Sequence, residues 1–203
     1  MSRTEVEPNV CENRQKSQPG KKPVLICPGF HAAKLTEQFV QSVFDPADRS
    51  LGNFYPVVAD VFCADPFAVF DWIVQSLGLP EVVTNPLLAI GFSGGVVGLS
   101  GALLRWQQAG GQVKKLIAID GWGMPIVGLP VCRLSHDGFT HWSTLPIGAG
   151  KVNFYANPSV EHLQMWADPA RVVGQAMTGW QMQSGAQTNA AEFIRRVLLG
   201  GYE

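Results

Sequence analysis

Several short runs in this chain are apolar on every residue that a strand would turn to either face. They include "PVLIC" from Pro23, "PLLAIGF" from Pro86 and the apolar stretch of "KKLIAID" from Lys114. A strand with one wet face alternates apolar and polar side chains, whereas a strand covered on both faces does not. Between these runs lie stretches of helical period. "AAKLTEQFVQSVF" sets Leu35, Phe39, Val40 and Val43 on one helical face. "FAVFDWIVQSLG" follows Asp65-Pro66, an N-cap and a first-turn proline, and stops at Gly78. "GGVVGLSGALLRWQQAGG" is a third helix, closed by Gly110-Gly111. "YPVVADVFC", "PVCRLSHD" and "KVNFYAN" read as further strands, and helices are expected around "DPARVVGQAM" and "NAAEFIRRVLLG". Strands and helices in alternation predict an α/β fold, a mostly parallel central sheet with helices on both faces.

A chain of 203 residues suits one domain. Residues 23–203 are read as that domain, and the polar residues 1–22 as a flexible tail. Hydrophobic residues make up 46% and charged residues 15%, which excludes a disordered class. The net charge is −1 and no basic run exceeds a pair, so nucleic acid is excluded as the main ligand. Cys11, Cys27, Cys63 and Cys132 are scattered without metal-ligand spacing. The last three sit in apolar runs, as reduced buried thiols do, so a reducing, cytoplasmic location is expected. No secretory signal and no transmembrane segment are read in the chain. Oligomeric state is not legible.

In parallel sheets, ligands bind at the carboxyl ends of the strands. Here those ends carry "PGFH", "GFSGG", "DGWGMP", "HDGFTH" and "ANPSVEH". Gly91-Phe92-Ser93-Gly94-Gly95, between a strand and a helix, is a G-x-S-x-G turn. Its small residues let the chain bend sharply and lift a serine into a cleft. A degenerate dinucleotide reading of Ala89–Gly94, with Asp120 near the ribose position, is weaker. Ala89 replaces the first glycine, and two strand–helix units precede it. No phosphate-loop motif is present. Gly98 and Gly101 are explained by close packing of the helix on the sheet.

A serine nucleophile needs a base, and the base needs a carboxylate. Of His31, His136, His141 and His162, His162 lies in the loop after the last predicted strand. Asp137 and Asp120 both end strands at the correct edge of the sheet. The order Ser93, Asp137, His162 is the hydrolase order, so Asp137 is favoured and Asp120 is the alternative acid. The run His136, Asp137, His141 is a weak metal spacing, and no metal or other cofactor is expected. An oxyanion would be met by the N–H of Gly94 and by one from "CPGFHAAK", with Phe30 expected as donor. His31, Phe92 and Trp122 are possible pocket residues.

On "VLICPGF", "LLAIGFSGG", "RLSHD" and "NPSVEHLQMW", the chain from Pro23 onward resembles the α/β-hydrolase family of serine esterases, lipases and thioesterases. The resemblance implies acyl hydrolysis through an acyl-enzyme, with Ser93 attacking, His162 as base and Asp137 orienting it. The partner implied is a small-molecule ester or thioester. Pro28-Gly29 stands where the family often has His-Gly. Only "GWGMPIVGLP" separates "KKLIAID" from "VCRLSHD", so a small enzyme with little or no lid is expected. A non-catalytic binding protein of the same fold is the alternative.

Overall fold

The computed structural model describes residues 22–44, 51–57, 60–121, 123–178 and 187–202. Residues 1–21 of the expected tail, and Trp122, lie outside the described residues. The chain runs β1 (Pro23–Cys27), α1 (Ala33–Val43), β2 (Asn53–Pro56), α2 (Pro66–Leu77), β3 (Leu87–Phe92), α3 (Gly94–Gln108), β4 (Val113–Ile119) and β5 (Val131–Ser135). It continues with α4 (Gly138–Thr144), β6 (Val152–Ala156), α5 (His162–Ala167), β7 (Val173–Thr178), β8 (Gln187–Asn189) and α6 (Ala190–Leu199). These eight strands form one sheet in the order β2-β1-β3-β4-β5-β6-β7-β8. Strands β1 to β6 pair in parallel, and β7 and β8 join antiparallel.

The apolar runs become buried strands because each face of the sheet meets its own helices. Val24 and Ile26 of β1 belong to a core with Phe39, Trp166 and Phe193, under α1, α5 and α6. Leu25 and Cys27 point the other way, into a core with Ile73, Leu99 and Trp106 under α2 and α3. Burial of such side chains stabilises a fold by roughly 1.5–3 kcal/mol each. Helix α2 starts as its sequence predicts: the Asp65 carboxylate accepts from the Phe67 N–H at 2.8 Å, and Gly78 leaves the helix at φ 100°. The glycines expected to seat α3 on the sheet instead seat it on the start of α2: a Cβ at Gly98 would collide with the Cys63 carbonyl, and one at Gly101 with the Pro66 ring.

Two expectations change. The strand read across "YPVVADVFC" is confined to Asn53–Pro56, with Tyr55 and Pro56 its only part of that run. The helix expected around "DPARVVGQAM" is instead strand β7, with α5 preceding it. Gly174, Ala176 and Met177 are buried, and Gly174 sits where any side chain would strike the Tyr155 carbonyl of β6. Antiparallel pairing to β6 at that close approach overrides the helical look of Val172, Val173, Ala176 and Met177.

Arg133, in the middle of β5, is buried without a carboxylate partner among the described residues. Its guanidinium donates to the carbonyls of Gly148 at 2.7 Å and Met124 at 2.8 Å, and burial brings it down to about 10. It ties the β4–β5 connection to the segment after α4. Cys27, Cys63 and Cys132 are free and buried, and burial pushes Cys132 up to about 12. Among the described residues, no helix is long and apolar enough to cross a membrane.

Candidate active site

Three successive strand ends, β3, β4 and β5, and the head of α5, where His162 stands and not in the expected loop, bring the expected chemistry together. Backbone bonds hold them in register: Ser93 N–H donates to the Ile119 carbonyl at 2.9 Å, Asp120 N–H to Leu134 at 2.9 Å, and Val160 N–H to His136 at 3.0 Å. The non-glycine residues with positive φ among the described residues are Ser93 (φ 51°) and Asp120 (φ 50°). Such backbone costs on the order of 1–3 kcal/mol per residue and survives only where the surroundings enforce it. At Ser93 the enforcement is visible. A Cβ at Gly91 would press on the Val96 backbone at 3.1 Å, and one at Gly95 would collide with the Pro28 carbonyl. The small residues of Gly91-Phe92-Ser93-Gly94-Gly95 are therefore required by close approach.

Ser93, Gly94, Asp120, His136, Asp137 and His162 line one cavity of about 470 Å³. His162 Nδ1 lies 3.0 Å from Asp120 Oδ2. A carboxylate only accepts, so Nδ1 carries the proton and Nε2 keeps its lone pair. The ring also lies on the Phe92 ring at 4.7 Å and 22°. Phe92 stacks in turn on Trp166 at 5.0 Å, and Trp166 on Phe39 at 3.8 Å. Phe92, expected in the pocket, is thus buried beneath His162 and does not face the cavity.

The carboxylate behind His162 is Asp120, where Asp137 was favoured. Asp137 caps α4, its Oδ1 accepting from the Thr140 N–H at 2.7 Å. A carboxylate in that position satisfies an otherwise orphaned helix N–H. Asp120 is buried and free of capping duty. It accepts from His162, from the His136 N–H at 2.9 Å and from His136 Nδ1 at 3.1 Å. Burial alone would raise its pKa, but the hydrogen bonds from His136 and His162 outweigh that and hold it below the usual carboxylate value. The signal available in the sequence was "DGFT": an aspartate three residues before a threonine at the head of a helix is a cap.

His136 is a residue to which sequence reasoning assigned no definite task. Its Nδ1 shares Asp120 with His162, and its Nε2 lies 3.6 Å from Asp137 Oδ2. The Asp120 hydrogen bond raises its pKa, against the opposing effect of burial. Asp120, His136 and His162 offer ligand atoms within 4.8 Å of one another, so they could hold a cation, although both Nδ1 atoms already face Asp120. The weighed trio with His141 is not assembled. His141 is buried against Tyr155 at 4.8 Å, both ring nitrogens without a partner among the described residues, and burial brings its pKa down to about 4.

The β1–α1 turn closes the site. A Cβ at Gly29 would reach the Ser93 Cβ at 3.0 Å, and the Phe30 ring covers the Cα of Gly94. Among the described residues, the N–H groups of Phe30 and Gly94 have no backbone acceptor, as donors for an anion must. His31 is not at this cavity. It lines a second one beyond the β1–α1 turn, with Nδ1 donating to the Ala32 carbonyl at 3.0 Å. Among the described residues, no hydrogen bond joins Ser93 Oγ to His162. Such contacts are often long without substrate and shorten when it binds. No family model matches the chain, and no curated protein is significantly similar to it.

Proposed function

We propose that this chain is a serine hydrolase of α/β-hydrolase type, cleaving a small or medium carboxylic ester or thioester through an acyl-enzyme on Ser93. The observation that carries this reading is the strained Ser93 turn, facing a cavity shared with a histidine whose Nδ1 is held by a buried aspartate.

In this reading Ser93 Oγ attacks the acyl carbon as its proton passes to His162 Nε2. Asp120 keeps Nδ1–H in place and stabilises the imidazolium. The carbonyl oxygen gains negative charge and is met by the N–H groups of Gly94 and Phe30. His162 then gives its proton to the leaving alkoxide or thiolate, leaving the acyl group on Ser93. Water enters, loses a proton to His162 and attacks the acyl carbon, and the serine regains its proton as the acid departs. The cavity is open to solvent, in keeping with an enzyme that has little lid. The buried free cysteines suit a cytoplasmic setting.

A fluorophosphonate probe tests the reading. It is expected to label the native chain and not Ser93→Ala. Absence of labelling in the folded wild type would overturn it in favour of a non-catalytic binding protein, and labelling that survives the substitution would remove Ser93 as the nucleophile.

A further inference from the structure

The second cavity, of about 630 Å³, is walled by the β1–α1 turn and α1. That turn touches the nucleophile, through Gly29 against Ser93 and Phe30 against Gly94. The walls are mainly apolar, with Pro28, Phe30, Val40, Pro56, Val57 and Cys63 among them. Its volume falls in the range of small-molecule sites. Phe30 is 66% exposed and its ring lies 5.5 Å from that of Phe62, 61% exposed, so an aromatic pair stands at the edge in contact with water. Thr36, on the same wall, is nine-tenths buried, and its Oγ1 has no hydrogen-bond partner among the described residues. A buried hydroxyl left unpaired is costly, and a ligand oxygen would satisfy it.

Charge narrows the occupant further. Among the described residues, neither cavity is lined by a lysine or arginine. The charged groups on the walls are the carboxylates of Glu37, Asp120 and Asp137 beside histidines. A phosphate-bearing thiol such as coenzyme A would meet no cation and up to three carboxylates, an arrangement that repels anions.

Resting on the serine-hydrolase reading, we propose that the substrate is an electrically neutral carboxylic ester whose medium-length, unbranched acyl chain lies in the cavity between α1 and the β1–α1 turn. The leaving alcohol departs through the cavity lined by His136 and Asp137. Acyl chain and leaving group thus lie on opposite sides of the Gly29–Phe30 strip.

The test compares p-nitrophenyl acetate, p-nitrophenyl octanoate and octanoyl-coenzyme A on the full chain and on Ala33→Trp and Val40→Trp, which narrow the cavity from α1. Folding of each variant is checked by its melting curve. Wild type is expected to favour octanoate over acetate in kcat/KM, by up to about fourfold for each methylene buried. Each bulky variant should lower the octanoate-to-acetate ratio at least tenfold, and octanoyl-coenzyme A should be turned over at less than a hundredth of the octanoate ester rate. An unchanged ratio in folded variants overturns the chain placement, and coenzyme A thioester turnover as fast as the ester overturns the charge argument. If Ser93 is neither labelled nor active on any ester, the hydrolase reading itself has failed. Calorimetric titration of octan-1-ol into Ser93→Ala then decides the cavity alone. Binding weakened at least tenfold by Ala33→Trp supports an apolar-chain site, and the absence of binding overturns it.

Discussion

Asp120 and Asp137 are both acids just beyond the ends of neighbouring strands, β4 and β5, yet their surroundings give them opposite work. Asp120 stands at φ 50° before Gly121, buried, with three N–H groups aimed at it. Asp137 is extended at φ −152°, partly buried, and spends an oxygen on the first turn of α4. What separates them is the element that follows. A strand end that runs into a helix uses its aspartate as a cap, while one that runs into an irregular connection leaves the carboxylate free for a distant partner.

The sharpest way to break this comparison is exchange of the charge. Asp120→Asn should lower kcat on the order of 10⁴-fold, because the amide can donate to Nδ1 and favour the wrong tautomer. Steady-state kinetics on an ester measures this, and a loss below tenfold would remove Asp120 from the site.

A second prediction concerns the helix that Asp137 caps. His141 lies within α4, its burial placing the folded pKa at about 4, well below an unfolded value near 6.5. As pH falls the unfolded chain takes up this proton first, so stability is lost from about pH 6.5 downward and the loss continues to about pH 4. His136, raised by Asp120, acts in the opposite sense, because its contribution is complete below about pH 6.5 and fades as pH rises through its folded value. Urea midpoints at pH 6.5 and pH 5 therefore isolate His141. The midpoint should fall in wild type and fall much less in His141→Phe.

Asp137→Ala is expected to be milder. Loss of the cap should cost about 1 kcal/mol of stability, seen in the urea midpoint, with kcat reduced less than tenfold. The smallest effect separates the two acids through the residue they share. In NMR titrations, Asp120→Asn should move the His136 midpoint down further than Asp137→Asn does. Asp120 accepts a direct hydrogen bond from His136, whereas Asp137 acts mainly through its charge at 3.6 Å.

The parallel part of the sheet was legible because burial on both faces writes continuous apolar runs, as in β1, β3 and β4. Strand β7 was not, since its pairing depends on Gly174 fitting against Tyr155, a contact far apart in sequence. At the site, Ser93, Gly94 and His162 could be found because their positions at the junctions between elements are local properties. The acid could not be chosen by chain order. Its choice depends on which carboxylate the fold has already engaged, and that rests on α4 starting at Gly138. Arg133 carried no signal either, because its three carbonyl acceptors belong to segments that only the folded chain brings together.

The rings of Phe39, Trp166, Phe92 and His162 form one column, from a helix in the core to the cavity wall. The imidazole at its end is therefore an internal gauge of the whole column. Loosening of α1 would alter the ring currents felt by His162 before any strand separated, so the proton spectrum of one histidine would report the onset of core melting.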